Sequence, residues 1–288
     1  MIYRHILFPV DFSDESKAVA PFVLSMARRF NASVALMHVI EPSPMLYSGE
    51  TPPMLYPIDY DTAKSDAGGA LASFASSQLP KVDVSSVAEI GDAASVITAF
   101  ADGVRADLIA MPTHGSGRFR RMLVGSTTAR VLHDATVPVW TSAHATEPTH
   151  RAHPQPRAIL AAIDLGPESR CVLNTALELA RDAAAQVQVL HLAPEGQLDP
   201  QQAGSRCRDL LNELAKDDMT TECGETGVAV EMAQAGEAVG DVVRRVALAG
   251  RADLVVIGRG NIRKGAFSRL RANAYEIVRD APCPVLSV

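Results

Sequence analysis

Between positions 111 and 128 the chain reads Met111-Pro-Thr-His-Gly-Ser-Gly-Arg-Phe-Arg-Arg-Met-Leu-Val-Gly-Ser-Thr-Thr128. Gly115, Gly117 and Gly125 let backbone N–H groups come close to an anion, because no Cβ stands in the way. Ser126, Thr127 and Thr128 come after the last glycine, where a helical pattern begins. Their hydroxyls can cap that helix or bond phosphate oxygens. Uncommitted amides at a helix start, together with its dipole, favour phosphate. The chemistry written here is that of holding a phosphorylated ligand without a lysine, through a nest of amides. The loop is not a Walker A motif, because no GxxxxGK[ST] occurs in the chain. Gly115-Ser-Gly117-Arg-Phe-Arg120 only half resembles GxGxxG and comes after a fourth strand rather than a first, which speaks against a Rossmann dinucleotide site.

The elements that must position this loop alternate. An apolar run at 4–10 reads as a strand ending at Asp11, and Ser13 or Asp14 then caps a helix to about residue 30. Strands are expected at 33–40, 83–90, 107–111 and 137–142, and helices at about 60–78, 93–103 and 127–134. The proline-rich stretch 41–58 is an excursion without a period, with Met45, Tyr47, Met54 and Tyr56 open as a lid or a partner surface. Alternating strands and helices predict a doubly wound parallel sheet with right-handed crossovers. Ligands of such sheets bind at the carboxyl ends of strands where the winding reverses. If the first and fourth strands flank that point, Asp11 and the glycine loop face each other. Asp11 is equally readable as a helix-entry residue competing with Ser13 and Asp14. His114 reads as a loop hydrogen-bonder or an acid-base group. Arg118, Arg120 and Arg121 read as a solvated face or a phosphate grip. His38 and His191, near strand ends, are expected to be buried and neutral.

The pattern then repeats. Arg4-His-Ile-Leu-Phe-Pro-Val-Asp11 matches Arg157-Ala-Ile-Leu-Ala-Ala-Ile-Asp164, Glu15-Ser16 matches Glu168-Ser169, and Arg105-Ala-Asp-Leu108 matches Arg251-Ala-Asp-Leu254. Thr136-Val-Pro-Val139 likewise matches Pro282-Cys-Pro-Val285. The repeat implies two copies of one α/β domain, 1–143 and 157–288, joined by a linker at 144–156 that holds three prolines and three histidines. A length of 288 residues accommodates two domains of roughly 150 each.

Charge and composition exclude other classes. A net charge of −6 argues against a broad nucleic-acid face, and no apolar run approaches the roughly 20 residues of a membrane span. The N-terminus reads as a strand rather than a signal peptide, so the cytoplasm is the expected location. Cys171, Cys207, Cys223 and Cys283 have no metal-ligand spacing and read as reduced thiols.

The spacing of the loop makes the resemblance specific. The chain resembles a tandem universal stress protein of the UspA-like family, whose loop is Gly, two residues, Gly, nine residues, Gly, Ser or Thr. Here Pro112-Thr-His-Gly115 is succeeded by the nine residues 116–124 and by Gly125-Ser126. Proline stands in the place of the first glycine and brings a fixed φ and no N–H. The resemblance covers both halves. It implies for each a five-stranded parallel sheet in the order 3-2-1-4-5, the adenine-nucleotide alpha-hydrolase-like arrangement, with the fifth strands of the two domains pairing. It also implies ATP in the first domain only. Asp11 and the backbone of Val39 would contact adenine, with Pro9 and Val10 lining the base. Met111, His114 and Gly115 would surround ribose and phosphate, with Pro112 at the loop's first position. Gly125, Ser126, Thr127 and Thr128 would hold the phosphate tail, and Mg2+ would sit on the phosphates without a protein-held metal site.

In the second half the loop runs from Gly258-Arg-Gly-Asn261 to Arg271-Ala272, so bulk replaces the Gly-Ser pair and no ATP is expected there. The function this implies is an ATP-binding stress-response regulator whose domains pair with each other. A homodimer and an unidentified protein partner stay open. No general base is aligned for attack on a γ-phosphate, so the chain is not expected to be an enzyme, with slow hydrolysis or autophosphorylation on Ser126 or a neighbouring hydroxyl left open. Two other readings compete: a tandem scaffold that binds no nucleotide, favoured by Pro112, and a receiver-type phosphoacceptor domain. The last lacks a lysine after the fifth strand of the first half.

Overall fold

Runs such as Leu108-Ile-Ala-Met111 and Ile159-Leu-Ala-Ala162 can be buried on both faces only if helices cover a sheet from either side. The computed structural model describes residues 3–42, 59–114, 124–142, 155–191, 200–217, 238–259 and 269–288, and it has that form. The first half contains β1 (His5–Pro9), α1 (Asp14–Phe30), β2 (Ser33–Ile40), α2 (Tyr60–Gln78), β3 (Val84–Ile90), α3 (Ala93–Gly103), β4 (Leu108–Met111), α4 (Ser126–Asp134) and β5 (Val139–Thr141). The second contains β6 (Ala158–Ile163), α5 (Ser169–Ala183), β7 (Gln186–His191), α6 (Pro200–Asp217), α7 (Val239–Ala249), β8 (Leu254–Ile257), α8 (Arg269–Asp280) and β9 (Val285–Ser287). Most of the excursion at 41–58, most of the linker at 144–156, Gly115 with most of the nine residues after it, and Cys223 lie outside the described residues.

The strands form one sheet in the order β3-β2-β1-β4-β5-β9-β8-β6-β7. The first half is the expected 3-2-1-4-5. The second supplies four described strands, and residues 218–237, between α6 and α7, lie outside the described set. Within each half every pair is parallel, and β5 pairs β9 antiparallel, with Val139 opposite Ser287 and Trp140 opposite Leu286. The two half-sheets therefore turn their carboxyl ends in opposite directions.

One apolar cluster runs through both halves under α1, α2, α5 and α6, and it includes Trp140 and Leu286 at the seam. Trp140, the single tryptophan, stacks on Phe22 of α1 with ring centroids 3.9 Å apart and planes 10° from parallel. On the other face, Val124, Ala129 and Leu132 of the first half join the cluster under α7 and α8. Burial of this area is what joins the halves, at roughly 25 cal/mol for each Å² of apolar surface removed from water.

The repeated Arg-Ala-Asp-Leu motif has a structural job at the end of the sheet away from the glycine loop. Arg105 and Arg251 take left-handed backbone at φ 52° and 51°. Each turn delivers an aspartate to the start of the half's first strand. Asp107 Oδ2 accepts from the amides of Arg4 (2.6 Å) and His5 (2.9 Å), and Asp253 Oδ2 accepts from Arg157 (2.8 Å) and Ala158 (3.3 Å). Charge-assisted bonds of this kind satisfy amides that a strand end otherwise leaves open.

Candidate functional site

The strand order places the winding reversal between β1 and β4, so the crevice of the first half opens at their carboxyl ends. The β1 side is tightly tied. Val10 donates its amide to Met37 (2.8 Å), and its carbonyl accepts from His38 Nδ1 (2.8 Å), which fixes the His38 tautomer. The His38 ring lies 4.6 Å from that of Phe12, which sits in left-handed backbone at φ 60°. His38 is half-buried rather than buried: it stands towards the carboxyl end of β2, with Phe12 against its ring. Pro9 and Val10 are buried, and Val39 is half-buried.

The competition for helix entry resolves in favour of Ser13, which accepts from the Ser16 amide at 3.2 Å. Asp11 braces the turn instead. Its Oδ1 accepts from the Ser13 amide (3.1 Å), from Ser16 Oγ (2.7 Å) and, by a short contact, from the Ser13 hydroxyl. Asp11 is nonetheless exposed at the crevice mouth.

On the β4 side the loop is pinned at both ends. Met111, Pro112 and Thr113 are buried and His114 is half-buried. The Thr113 hydroxyl donates to the carbonyl of Ser142, beyond the end of the neighbouring β5. Gly125 returns the chain by donating its amide to the Thr113 carbonyl at 2.9 Å. A Cβ on Gly125 would lie 3.3 Å from His114 Cα and 3.5 Å from the Thr113 carbonyl oxygen. The φ of −58° suits any residue, so close approach of two backbones is what calls for glycine here. The Thr113–Ser142 tie has little signal in the sequence, only a hydroxyl shortly past the end of each of two adjacent strands.

The start of α4 differs from the other helices of its half. Ser13, Asp59 and Asp92 cap α1, α2 and α3 with side-chain oxygens, whereas Gly125 caps α4 with no side-chain hydrogen bond. The first turn, with Ser126 exposed and Thr127 half-buried, therefore presents amides and the positive end of the dipole at the carboxyl edge of β4. The Thr128 hydroxyl is turned away: it is 3% exposed and donates to the Pro112 carbonyl at 3.0 Å. Pro112 thus contributes a carbonyl that is already engaged, and its missing N–H leaves no unsatisfied group. Gly115 lies outside the described residues. Among the described residues no group of three or more His, Cys, Asp or Glu side chains could hold a metal ion.

The second crevice keeps the turn and alters the loop. Asp164 Oδ1 accepts from the Gly166 amide (2.8 Å) and from Ser169 Oγ (3.3 Å), and Leu165 repeats the left-handed backbone of Phe12 at φ 58°. His191 is buried, with Nδ1 3.2 Å from the Ile163 carbonyl, and burial holds its pKa below the ordinary value. At the position of Pro112 stands Gly258, where a Cβ would come 2.6 Å from Glu168 Oε2 and 3.1 Å from Glu168 Cβ. A carboxylate thus lies against the loop's first residue. The next residue, Arg259, leaves the crevice altogether: its Nη1 donates to the Ala135 carbonyl, at the C-terminus of α4, at 2.6 Å. Burial lowers the Arg259 pKa, and the charge of Glu168 opposes that shift. Neither role is visible in the sequence, because each depends on packing between distant segments. The side chains of Arg271 and Ala272 lie outside the described residues.

Comparison with known proteins agrees with this architecture. The universal stress protein family model matches residues 2–142 and again 156–288. Universal stress protein A homolog 1 of Coxiella burnetii is 32% identical over 143 residues, which is 48% of this chain and 95% of that protein. A universal stress protein of Methanocaldococcus jannaschii is 30% identical over 139 residues, 48% of this chain and 81% of that protein. Among solved structures, a universal stress protein from Archaeoglobus fulgidus superposes with a TM-score of 0.72 at 19% identity, covering 100% of this chain and 97% of its own. With one sheet, two repeated crevices and two family matches that together span nearly its whole length, the chain belongs to the universal stress protein family, as two tandem copies of its domain.

Proposed function

We propose that this protein is a cytoplasmic stress-response regulator that binds an adenine nucleotide, ATP with Mg2+ on its phosphates, in the first half. The second half serves as a partner domain. The observation that carries the reading is the start of α4, where Gly125 replaces a capping side chain beside the β1–β4 crevice. Helix-start amides without a side-chain cap suit a phosphate tail, and the close approach of Gly125 to His114 shapes the loop that would surround it. Asp11 and Val39 stand on the side where a base would lie, with Pro9 and Val10 beneath. Occupancy can regulate only by favouring one of two states of the seam or of the loops, so signalling requires different nucleotide affinity in the two.

Native mass spectrometry of gently purified protein, combined with thermal shift at millimolar ATP, tests the reading. Retained ATP, ADP or AMP and a melting temperature that rises with ATP support it. No retained nucleotide and no shift support the second reading, a scaffold acting through protein contacts alone. That reading draws on the bonds already made to Asp11 Oδ1 by Ser13 and Ser16, and on the proline at position 112.

A further inference from the structure

The seam between the halves contains a second space, away from both crevices. A cavity of about 180 Å³ lies between α4 and α8. Its apolar walls are Ala129 and Leu132 from the first half and Ala274 and Val278 from the second, and His133 and Tyr275 also line it. Two further polar groups reach it. Ser287, on the seam strand β9, is 1% exposed, and its Oγ has no hydrogen-bond partner among the described residues. A buried hydroxyl left unpaired costs roughly 1–3 kcal/mol, so such a group calls for a partner. Arg259 brings a guanidinium into the same space, tied to the Ala135 carbonyl. Glu168 is an acidic side chain whose charge acts on Arg259, and a carboxylate from a ligand would match the guanidinium fork in charge and geometry.

We propose that this cavity binds a short-chain carboxylate, its carboxylate group on Arg259 and Ser287 and its hydrocarbon against Ala129, Leu132, Ala274 and Val278. The size is consistent with a small anion only. A cavity of roughly 150 Å³ holds benzene, so a body of about four to six carbons fits. Pockets that bury larger ligands start near roughly 300 Å³, which excludes a nucleotide. Because the walls come from both halves, the occupant ties α4 to α8, and its binding is separable from any event in the β1–β4 crevice.

The test uses the full chain and 3-methylbutanoate as the probe, with 3-methylbutanamide as its neutral isostere. Backbone amide NMR shifts in α4, α8 and β9 report binding. The expected result is a saturable shift for the acid, at least about tenfold tighter than for the amide, as loss of a charge-assisted pair implies. Ser287→Ala weakens acid binding several-fold. Ala274→Leu fills the space and abolishes binding while the melting temperature holds or rises, which separates site loss from unfolding. Gly125→Val leaves acid binding unchanged, which separates this site from the nucleotide loop. No saturable shift with the acid, equal binding of acid and amide, or undiminished binding in Ala274→Leu overturns the proposal.

Discussion

The two carboxyl-edge crevices share a turn after their first strand and differ in the loop that faces it. Asp11 with Ser13 and Ser16, and Asp164 with Gly166 and Ser169, make the same brace around the left-handed residues Phe12 and Leu165. At the opposite end of each half, Asp107 and Asp253 make the same clamp. These features hold backbone, and both copies keep them. The β4–α4 loop and the loop after β8 have gone separate ways. In the first half Gly125 lets the loop close on His114 and leaves the start of α4 without a side-chain cap. In the second, Gly258 makes room for Glu168, and Arg259 crosses the seam. The repeat thus separates into backbone braces that both copies keep and a loop that differs between them.

The comparison breaks most easily at Gly125. Gly125→Val places a branched side chain against His114 Cα, and nucleotide affinity by calorimetry should fall at least about 100-fold, or ~2.7 kcal/mol. An unchanged affinity would remove the loop from the site. The clamps come next. Asp253→Ala should lower stability by about 2 kcal/mol in urea unfolding, and Asp107→Ala by about 1 kcal/mol, because Asp253 is buried and Asp107 half-buried. Neither should change nucleotide affinity more than about twofold, since both lie at the far end of their sheets.

Gly258→Ala should destabilise by about 1 kcal/mol, and Glu168→Ala should relieve about 0.5 kcal/mol or more of that in a double-mutant cycle. Additive effects would show that Glu168 does not occupy that space. His191 supplies a pH test. Burial lowers its folded pKa, so below the ordinary value near 6.5 the unfolded chain takes up a proton that the folded one resists. Its contribution is present above that pH and lost as pH falls through the window beneath it. His191→Gln should flatten the decline of stability on acidification. The smallest effect is expected for Pro112→Gly. The Pro112 carbonyl bonds Thr128 in either case, so nucleotide affinity should change less than about threefold.

Much of the fold was legible in local pattern. The bounds of β2, α2 and α3 coincide with those read from the sequence pattern, and in the structure Asp59 and Asp92 cap the two helices. The two-domain repeat was equally plain. The antiparallel pairing of β5 with β9 is a matter of tertiary packing: the family resemblance implies that fifth strands pair, whereas two parallel half-sheets can meet in other ways. The strand β5 is shorter than its apolar run, 139–141 rather than 137–142. Asp11 illustrates a limit: its type and place suit a ligand contact, while three of its bonds go to Ser13 and Ser16. Thr128, Glu168 and Arg259 illustrate another. The partner of Thr128 is 16 residues away and that of Arg259 is 124 residues away across the seam, and no period in the sequence encodes such meetings.

The asymmetry of the two crevices is tested most directly by the stoichiometry of ATP binding to the full chain, titrated with magnesium by isothermal calorimetry. One nucleotide per chain, lost in Gly125→Val and retained in Gly258→Ala, is the predicted result. Two per chain, none, or one that survives Gly125→Val would contradict it.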